Sequence, residues 1–439
     1  INTKRGVSGK PKITFDAYSG MQKVTKLPEF LTRDQQAQYH YDAIKNRNID
    51  EGRSVAGDPT TWGIRVPQTV LDVLSGKNTN NTNALDSILR PAWQRSYNLA
   101  VSGGSDGFKY LLSGEFFDQD GIIINSNFKR YSTRANFDVQ LSKKASLKVS
   151  INPSFTNNDN VVAAGGGAGP STSIIGTATS AHTYYPLYNT DRSYFVYQTV
   201  DASTDLFNPL ALVLEKSDKF KRTRIQSNAN LDYKFTPDLR LNLLFGATID
   251  NTKGYSFAPQ LPAFLNNPAT GTDYASGGYN WIGEYTLNYN KKFGKHSLAA
   301  LAGYTAQEDY LETNSLTSTN YPNNLIQTLS AVSGIISTGT STISEWAIVS
   351  QLARLNYNYD GKYLFTASVR RDGSSRFGAN NKYGVFPSAA AAWRISDEKF
   401  MEKISWIDQL KFRASYGLTG NNSIGNYASI STVNYLKFT

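Results

Sequence analysis

The sequence predicts an all-β chain folded as a transmembrane antiparallel β-barrel with long loops on one side. Three observations lead there. Polar and apolar residues alternate with a period of two over runs of about 10 to 13 residues, long enough for a tilted strand to cross a bilayer. Short and long connections alternate along the chain, which places every long loop at the same end of the sheet. Tyr and Phe gather where the apolar faces stop, the position of the aromatic girdles at a membrane surface.

The alternation is clearest in residues 223–235, where Ile225, Ala229, Leu231, Tyr233 and Phe235 face one way and Arg224, Gln226, Asn228, Asn230 and Asp232 the other. Thr236-Pro237-Asp238 turns the chain, and Leu239, Leu241, Leu243, Phe245, Ala247 and Ile249 resume the apolar face. The unit recurs. Ala135, Phe137, Val139 and Leu141 precede a Lys143-Lys144 turn and then Leu147, Val149 and Ile151. Trp281, Tyr285, Leu287 and Tyr289 precede Gly294-Lys295, and residues 349–359 and 363–370 are joined by Asp360-Gly361, a strong hairpin signal. Leu410, Phe412, Ala414, Tyr416 and Leu418 close the series. Long connections are expected at residues 157–221, 257–278 and 310–343.

Two helices are expected. Thr32 and Gln35 have the spacing of a capping box ahead of Ala37, Tyr41 and Ile44, so a short helix is placed at residues 33–46 in the first long loop. Residues 397–407 are the second candidate.

Composition narrows the classes further. The 439 residues include 27 Tyr, 22 Phe and 6 Trp, too many aromatics for a disordered chain, and no run approaches the roughly 20 apolar residues of a spanning helix. There is no Cys, hence no disulfide or thiolate site. His40, His182 and His296 lie far apart, and none has a second ligand at zinc-site spacing; no metal and no cofactor are expected. The net charge of +10 is carried by scattered Lys and Arg without a basic tract, so nucleic acid is not an expected partner. No signal peptide opens the chain at Ile1-Asn2-Thr3-Lys4, which suggests either its removal or a start inside a longer protein.

Candidate chemical motifs reduce to turns. Gly103-Gly104-Ser105-Asp106-Gly107 has the spacing of a nucleophile elbow but joins two strand patterns with no helix after it. Asp118-Gln119-Asp120-Gly121 starts like a calcium loop, yet Lys129 stands where a bidentate Glu is needed. Gly165-Gly166-Gly167-Ala168-Gly169-Pro170 lacks the Lys and hydroxyl of a phosphate loop. No acid/base or nucleophile set converges, so no catalytic residue is assigned and the chain is not expected to be an enzyme.

The loop aromatics remain. Tyr184, Tyr185 and Tyr188, with His182 and Asp191, fall in the longest loop, and Trp62 and Trp93 in the first. Aromatic faces beside Asn and Asp suit sugar rings, and Trp62, Tyr184, Tyr185 and Tyr188 are the candidate substrate contacts. The competing reading, which carries the greater weight, is that the same residues anchor the loops to each other or to a partner. Arg370, Arg371, Asp372 and Arg376 lie at an outer strand end and are expected to order the rim.

Several segments resemble one family. Ser102-Gly103-Gly104-Ser105 with Tyr110 to Gly114, Asp118-Gln119-Asp120-Gly121-Ile122 and Lys129-Arg130-Tyr131 are similar to the early barrel of SusC/RagA-type TonB-dependent transporters. So are TASVRRDGSSRFG from Thr366, Tyr383-Gly384-Val385-Phe386-Pro387-Ser388, Ala392-Trp393-Arg394-Ile395-Ser396, LKFRASYGLTGN from Leu410, and Ile424-Gly425-Asn426-Tyr427. The resemblance implies a plugged outer-membrane barrel of about 22 strands, of which this chain would hold about 12 to 13. Residues 1–9 would be the end of the plug domain, with Ile1 to Gly6 its last strand, and residues 10–439 the N-terminal part of the barrel. The implied function is TonB-dependent uptake of an oligosaccharide or peptide across the outer membrane of a Bacteroidetes-like cell. Implied partners are a SusD-like surface lipoprotein, TonB acting through a region absent from this sequence, and outer-membrane lipid. A passive porin or adhesin barrel is the alternative, and an outer-membrane enzyme with its site in the loops is a third.

Overall fold

The computed structural model describes residues 4–160, 173–197, 206–332, 336–404 and 406–431. Among the described residues thirteen strands form a single antiparallel sheet in which every strand pairs only with its neighbours in sequence. They are β1 (Gly9–Gln22), β2 (Ala92–Gly104), β3 (Phe108–Asp120), β4 (Asn127–Gln140), β5 (Ala145–Asn160), β6 (Ser217–Lys234) and β7 (Leu239–Ala258). The second half continues with β8 (Thr270–Phe293), β9 (His296–Thr319), β10 (Ile336–Tyr359), β11 (Tyr363–Ser374), β12 (Tyr383–Arg394) and β13 (Lys411–Gly417). β1 and β13 are its edges among the described residues. Among the described residues five α-helices lie in the connections after β1 and β5: α1 (Arg33–Asp50), α2 (Gln68–Leu74), α3 (Ala84–Ile88), α4 (Ile174–Ser180) and α5 (Pro209–Glu215).

Side-chain chemistry explains the sheet's two faces. One carries large apolar residues left open to the surroundings, such as Leu99, Phe245, Tyr285, Leu355 and Phe365, each at least two-fifths exposed. A soluble sheet would bury these; in a barrel wall they face lipid. The opposite face is a continuous polar lattice. Arg130 and Ser132 bond Glu115, Arg134 bonds Asn152, Asn242 bonds Asn230 and Asp232, and Asn280 bonds Asp309. Arg222 and Arg224 both reach Asp250. These pairs line the lumen, where water takes the place of lipid.

The turns set the sidedness. Asp360 and Gly361 both have positive φ, 54° and 72°, the backbone of the tight hairpin turn that Asp-Gly favours. The Thr236 hydroxyl accepts from the Leu239 amide at 3.0 Å and closes the turn between β6 and β7. Residues 105–107 form the glycine-rich turn expected between β2 and β3. At this end His296 bonds the Tyr357 hydroxyl at 2.6 Å, Tyr233 meets Phe235 edge-on, and Phe293 stacks on His296, giving an aromatic girdle.

Several expectations are corrected. The strands reach 24 residues in β8, β9 and β10, so the three long connections shrink to residues 161–216, 259–269 and 320–335. At about 3.3 Å per residue such strands rise well beyond the hydrocarbon, and the wall continues outside the membrane. Trp93 belongs to β2 rather than to the first loop, on the lipid-facing side. α1 keeps its capping box, with both reciprocal bonds present, but runs to Asp50 rather than residue 46. Residues 397–407 do not form an α-helix among the described residues; two short 3-10 turns, Ile395–Asp397 and Lys399–Met401, stand there. Glu398 accounts for this by accepting from the Trp393 indole, the Tyr363 hydroxyl and Lys362, which ties the segment to the strand ends.

Ahead of β1, residues 4–7 have no strand pairing, and residues 1–3 fall outside the described residues. The segment crosses the lumen side: Arg5 donates to Asp138 at 2.6 Å and Asn136 donates to the Lys4 carbonyl at 2.9 Å. Gly6 passes so close to the Tyr110 backbone that a Cβ would stand 2.5 Å from its carbonyl oxygen, leaving room for no larger residue.

Candidate functional site

The loops on the long-connection side pack into a core of their own. Ala37, Val66, Val70, Ile88, Ala211 and Val213 are almost wholly buried within it. Short helices of five to seven residues have little intrinsic stability, so side-chain caps and tertiary packing must hold them. Asn208 shows how. Its side-chain oxygen accepts from the Leu210 and Ala211 amides at the start of α5, where Pro209 follows, and its amide group donates to the Leu187 and Phe195 carbonyls. Asn48 does similar work on α1, donating to the Ile64 carbonyl and accepting from the Ile64 amide, both at 2.8 Å.

An aromatic knot lies between α1 and residues 182–197. His40 Nδ1 and the Tyr184 hydroxyl are 2.8 Å apart, and Gln36 accepts from both the amide and the hydroxyl of Thr183. Tyr184 and Tyr185 meet edge-on at 5.0 Å, with Tyr197 beside Tyr185 at 5.1 Å. Burial pushes the Tyr197 hydroxyl's pKa up, so it stays neutral.

This geometry separates the four candidate contacts. Trp62, Tyr184 and Tyr185 are only 5%, 1% and 1% exposed, packed inside the loop core. Trp62 touches Tyr41, and its indole nitrogen has no hydrogen-bond acceptor among the described residues. Tyr188 stands apart at 44% exposed, stacked on Tyr194, whose hydroxyl donates to Glu215 at 2.7 Å. The glycine run at residues 165–169 lies outside the described residues.

Where the loop core meets the lumen wall there is a cavity of about 460 Å³ that the sequence did not mark. Ile174, Leu212 and Phe257 give it an apolar side; Lys216, Asp218 and Tyr274 give it a charged and hydrogen-bonding side. Asp218 is held by Asn160 at 3.1 Å. The Lys216 ammonium lies 5.4 Å from the ring centres of both Phe207 and Phe264, and burial lowers its pKa. A second, largely polar recess lower on the wall, about 330 Å³, is bordered by Glu115, Arg130, Arg134 and Gln226. Among the described residues no group of His, Asp or Glu is arranged to hold a metal ion.

The rim residues sit at the outer end of β11 and just beyond. Arg370 bonds Asp372 at 2.6 Å and Ser350 at 3.1 Å on the lumen side. Arg371 points the other way, its guanidinium 4.1 Å from the Tyr383 ring centre. Arg376 bonds the Asn426 side chain and the Asn422 carbonyl and lies over Trp346.

An antiparallel meander with a lipid-compatible outside, a polar inside and packed loops at one end defines an outer-membrane β-barrel. Residues 176–437 match the family described as TonB dependent receptor-like, beta-barrel. The chain belongs to that family. It is 32% identical over 441 residues to TonB-dependent receptor P3 of Formosa agariphila, covering 98% of this chain and 40% of the relative. With TonB-dependent receptor SusC of Bacteroides thetaiotaomicron it shares 27% identity, covering 97% of this chain and 41% of that protein. The chain thus spans about 40% of the length of these curated relatives. Among solved structures, a chain of the RagAB peptide transporter superposes with a TM-score of 0.78 at 23% identity, over 97% of this chain and 49% of that one, a likeness of fold.

Proposed function

We propose that this chain forms wall and outer loops of a TonB-coupled importer that takes up an oligosaccharide or peptide, working with a SusD-like surface lipoprotein. The observation that carries this reading is the cavity between loop core and lumen wall. Its aromatic and apolar side would stack sugar rings or peptide side chains, while Lys216, Asp218 and Tyr274 would bond hydroxyls, amides or chain termini. Tyr188 is the exposed aromatic of the original four and the one proposed to touch cargo directly; Trp62, Tyr184 and Tyr185 would act by holding the loops in shape. Residues 1–9 are proposed as the end of the plug, and the contacts of Arg5 and Lys4 inside the lumen support that placement.

The test is binding and uptake by the full-length protein in cells carrying its lipoprotein partner, with defined oligosaccharide and peptide pools. Asp218→Asn and Tyr274→Phe should weaken cargo binding roughly tenfold each, the scale of one lost hydrogen bond to a charged or buried group. Unchanged binding in both variants would remove the cavity from the mechanism. Uptake that persists after collapse of the proton-motive force would replace coupled import with a passive porin or adhesin.

A further inference from the structure

The lipid-facing side of β4 to β7 carries a row of lysines where its apolar belt ends. On β4 and β5 the belt stops at Tyr131 and Phe155, whose rings lie 6.5 Å apart. The next outward positions are Lys129 and Asn157, paired in register, and the row continues through Lys221 on β6 to Lys253 on β7. Thr223 and Asn251 separate the last two from the apolar Ile225 and Ile249. Lys219 lies one outward position further out on β6.

Lys221 and Lys253 are direct cross-strand partners, and both are exposed. Like charges facing each other across an antiparallel pair repel, and nothing in the fold demands them there. The ion pairs of these strands use Arg5, Arg130, Arg222, Arg224 and Arg240 on the lumen side; among the described residues none joins Lys129, Lys219, Lys221 or Lys253 to a carboxylate. Asp118 and Asp159 stand across the ladder from Lys129 and Lys219, and they too are unpaired with them.

We propose that this row is a docking site for the phosphate groups of a phosphorylated outer-leaflet glycolipid, whose acyl chains lie on the apolar belt below. The continuity of the row with that belt fixes the occupant's two halves: hydrocarbon against Tyr131, Phe155, Ile225 and Ile249, anionic headgroup against the lysines. Neighbouring strands are about 4.8 Å apart, so the row spans roughly 15 Å, the width of a disaccharide headgroup with a phosphate toward each end. An anion between Lys221 and Lys253 turns a repulsive pair into a clamp.

Native mass spectrometry of the purified full-length protein in mild detergent, titrated with a bisphosphorylated glycolipid and with its dephosphorylated form, tests this. The wild type should bind the phosphorylated form at least tenfold more tightly. Lys221→Gln with Lys253→Gln should weaken that binding about thirtyfold, about fivefold for each lysine. Lys143→Gln, in a turn at the opposite end, should change nothing. Equal affinity of the wild type for the two lipids would overturn the proposal, and that comparison decides the matter even if the double variant fails to assemble. Protection of the lysines by a second copy of the chain, seen as a dimer mass whose lysine cross-links join the two rows, would overturn it as well.

Discussion

The guanidinium of Arg376 lies 4.9 Å from the centre of the Trp346 ring while its Nε donates to the Asn426 side chain at 2.7 Å. One side chain thereby joins the loop after β11, the outer part of β10 and the segment that follows β13. Asn426 completes the link by donating to Ser344, and the Tyr427 hydroxyl accepts from the Glu345 amide.

Arg376→Ala should therefore release residues 421–427 while leaving the strands intact. A hydrogen bond to a charged group contributes about 1.5 to 3 kcal/mol and an exposed cation–π contact about 0.5 to 1. Local opening should become easier by about 2 kcal/mol, read as faster amide exchange in that segment. Arg376→Lys should rescue little of it, because a single ammonium cannot reach Asn426 and the Asn422 carbonyl in the same fork.

Arg371 faces outward on Tyr383, away from the lumen. Arg371→Gln should lower the yield of folded, heat-modifiable barrel and leave cargo affinity within about twofold of wild type. The expectation fails if the variant assembles normally but loses binding.

Asn208→Ala removes the cap of α5 and leaves the Leu187 and Phe195 carbonyls without their donor. Loss of a cap costs about 1 kcal/mol, and each orphaned buried acceptor about 1 or more. The loop core should loosen by about 3 kcal/mol, with protease cutting between residues 182 and 215 and no change in the exchange of β7 to β10.

The loop carboxylates set a pH limit. Arg47 holds Glu51 below the usual carboxylate range, the Thr60 amide and hydroxyl do so for Asp58, and the Ser193 hydroxyl and amide do so for Asp191. Each folded pKa lies below its unfolded value, so the stabilisation is complete above about pH 4 and is lost as pH falls through the folded values. Loop protection measured by proteolysis should hold from neutral pH to about 4 and decline below it. A decline already complete at about pH 6 would point to other groups.

Lys216 behaves in the opposite sense. Its folded pKa is depressed by burial, so the unfolded state binds more protons and the loop core gains stability as pH rises from the folded pKa toward the unfolded one near 10.4. Lys216→Met should remove this contribution and keep the packing against Phe207 and Phe264, measured as the loss of the wild type's extra gain in stability between neutral pH and about 10.

The membrane-spanning part of the sheet was legible because lipid on one side and a polar lumen on the other force a period of two. That contrast ends where the strands leave the bilayer. Residues 157–160, 217–222, 270–278 and 310–319 are rich in Asn, Ser, Thr, Gly and charged residues on both faces, so the pattern that marks a strand vanishes although the ladder continues. The capping box at Thr32 was readable, and Asn208-Pro209 carried an equally local signal for α5. That the loop aromatics anchor the loops to each other was one of the two readings the sequence offered; which of them are buried, Trp62, Tyr184 and Tyr185 but not Tyr188, was not readable, because it depends on segments more than a hundred residues apart coming together. The cavity at Lys216 and Asp218 has the same origin: its sides come from α4, α5 and four strands.

Pairing between sequence neighbours alone has an evolutionary consequence. Each hairpin's register is settled by its own short turn and its two adjacent strands, so the far end of a hairpin can lengthen, shorten or be exchanged without shifting any other pair in the sheet. A frame of this kind lets selection rewrite the outer loops while the wall embedded in the membrane stays unchanged.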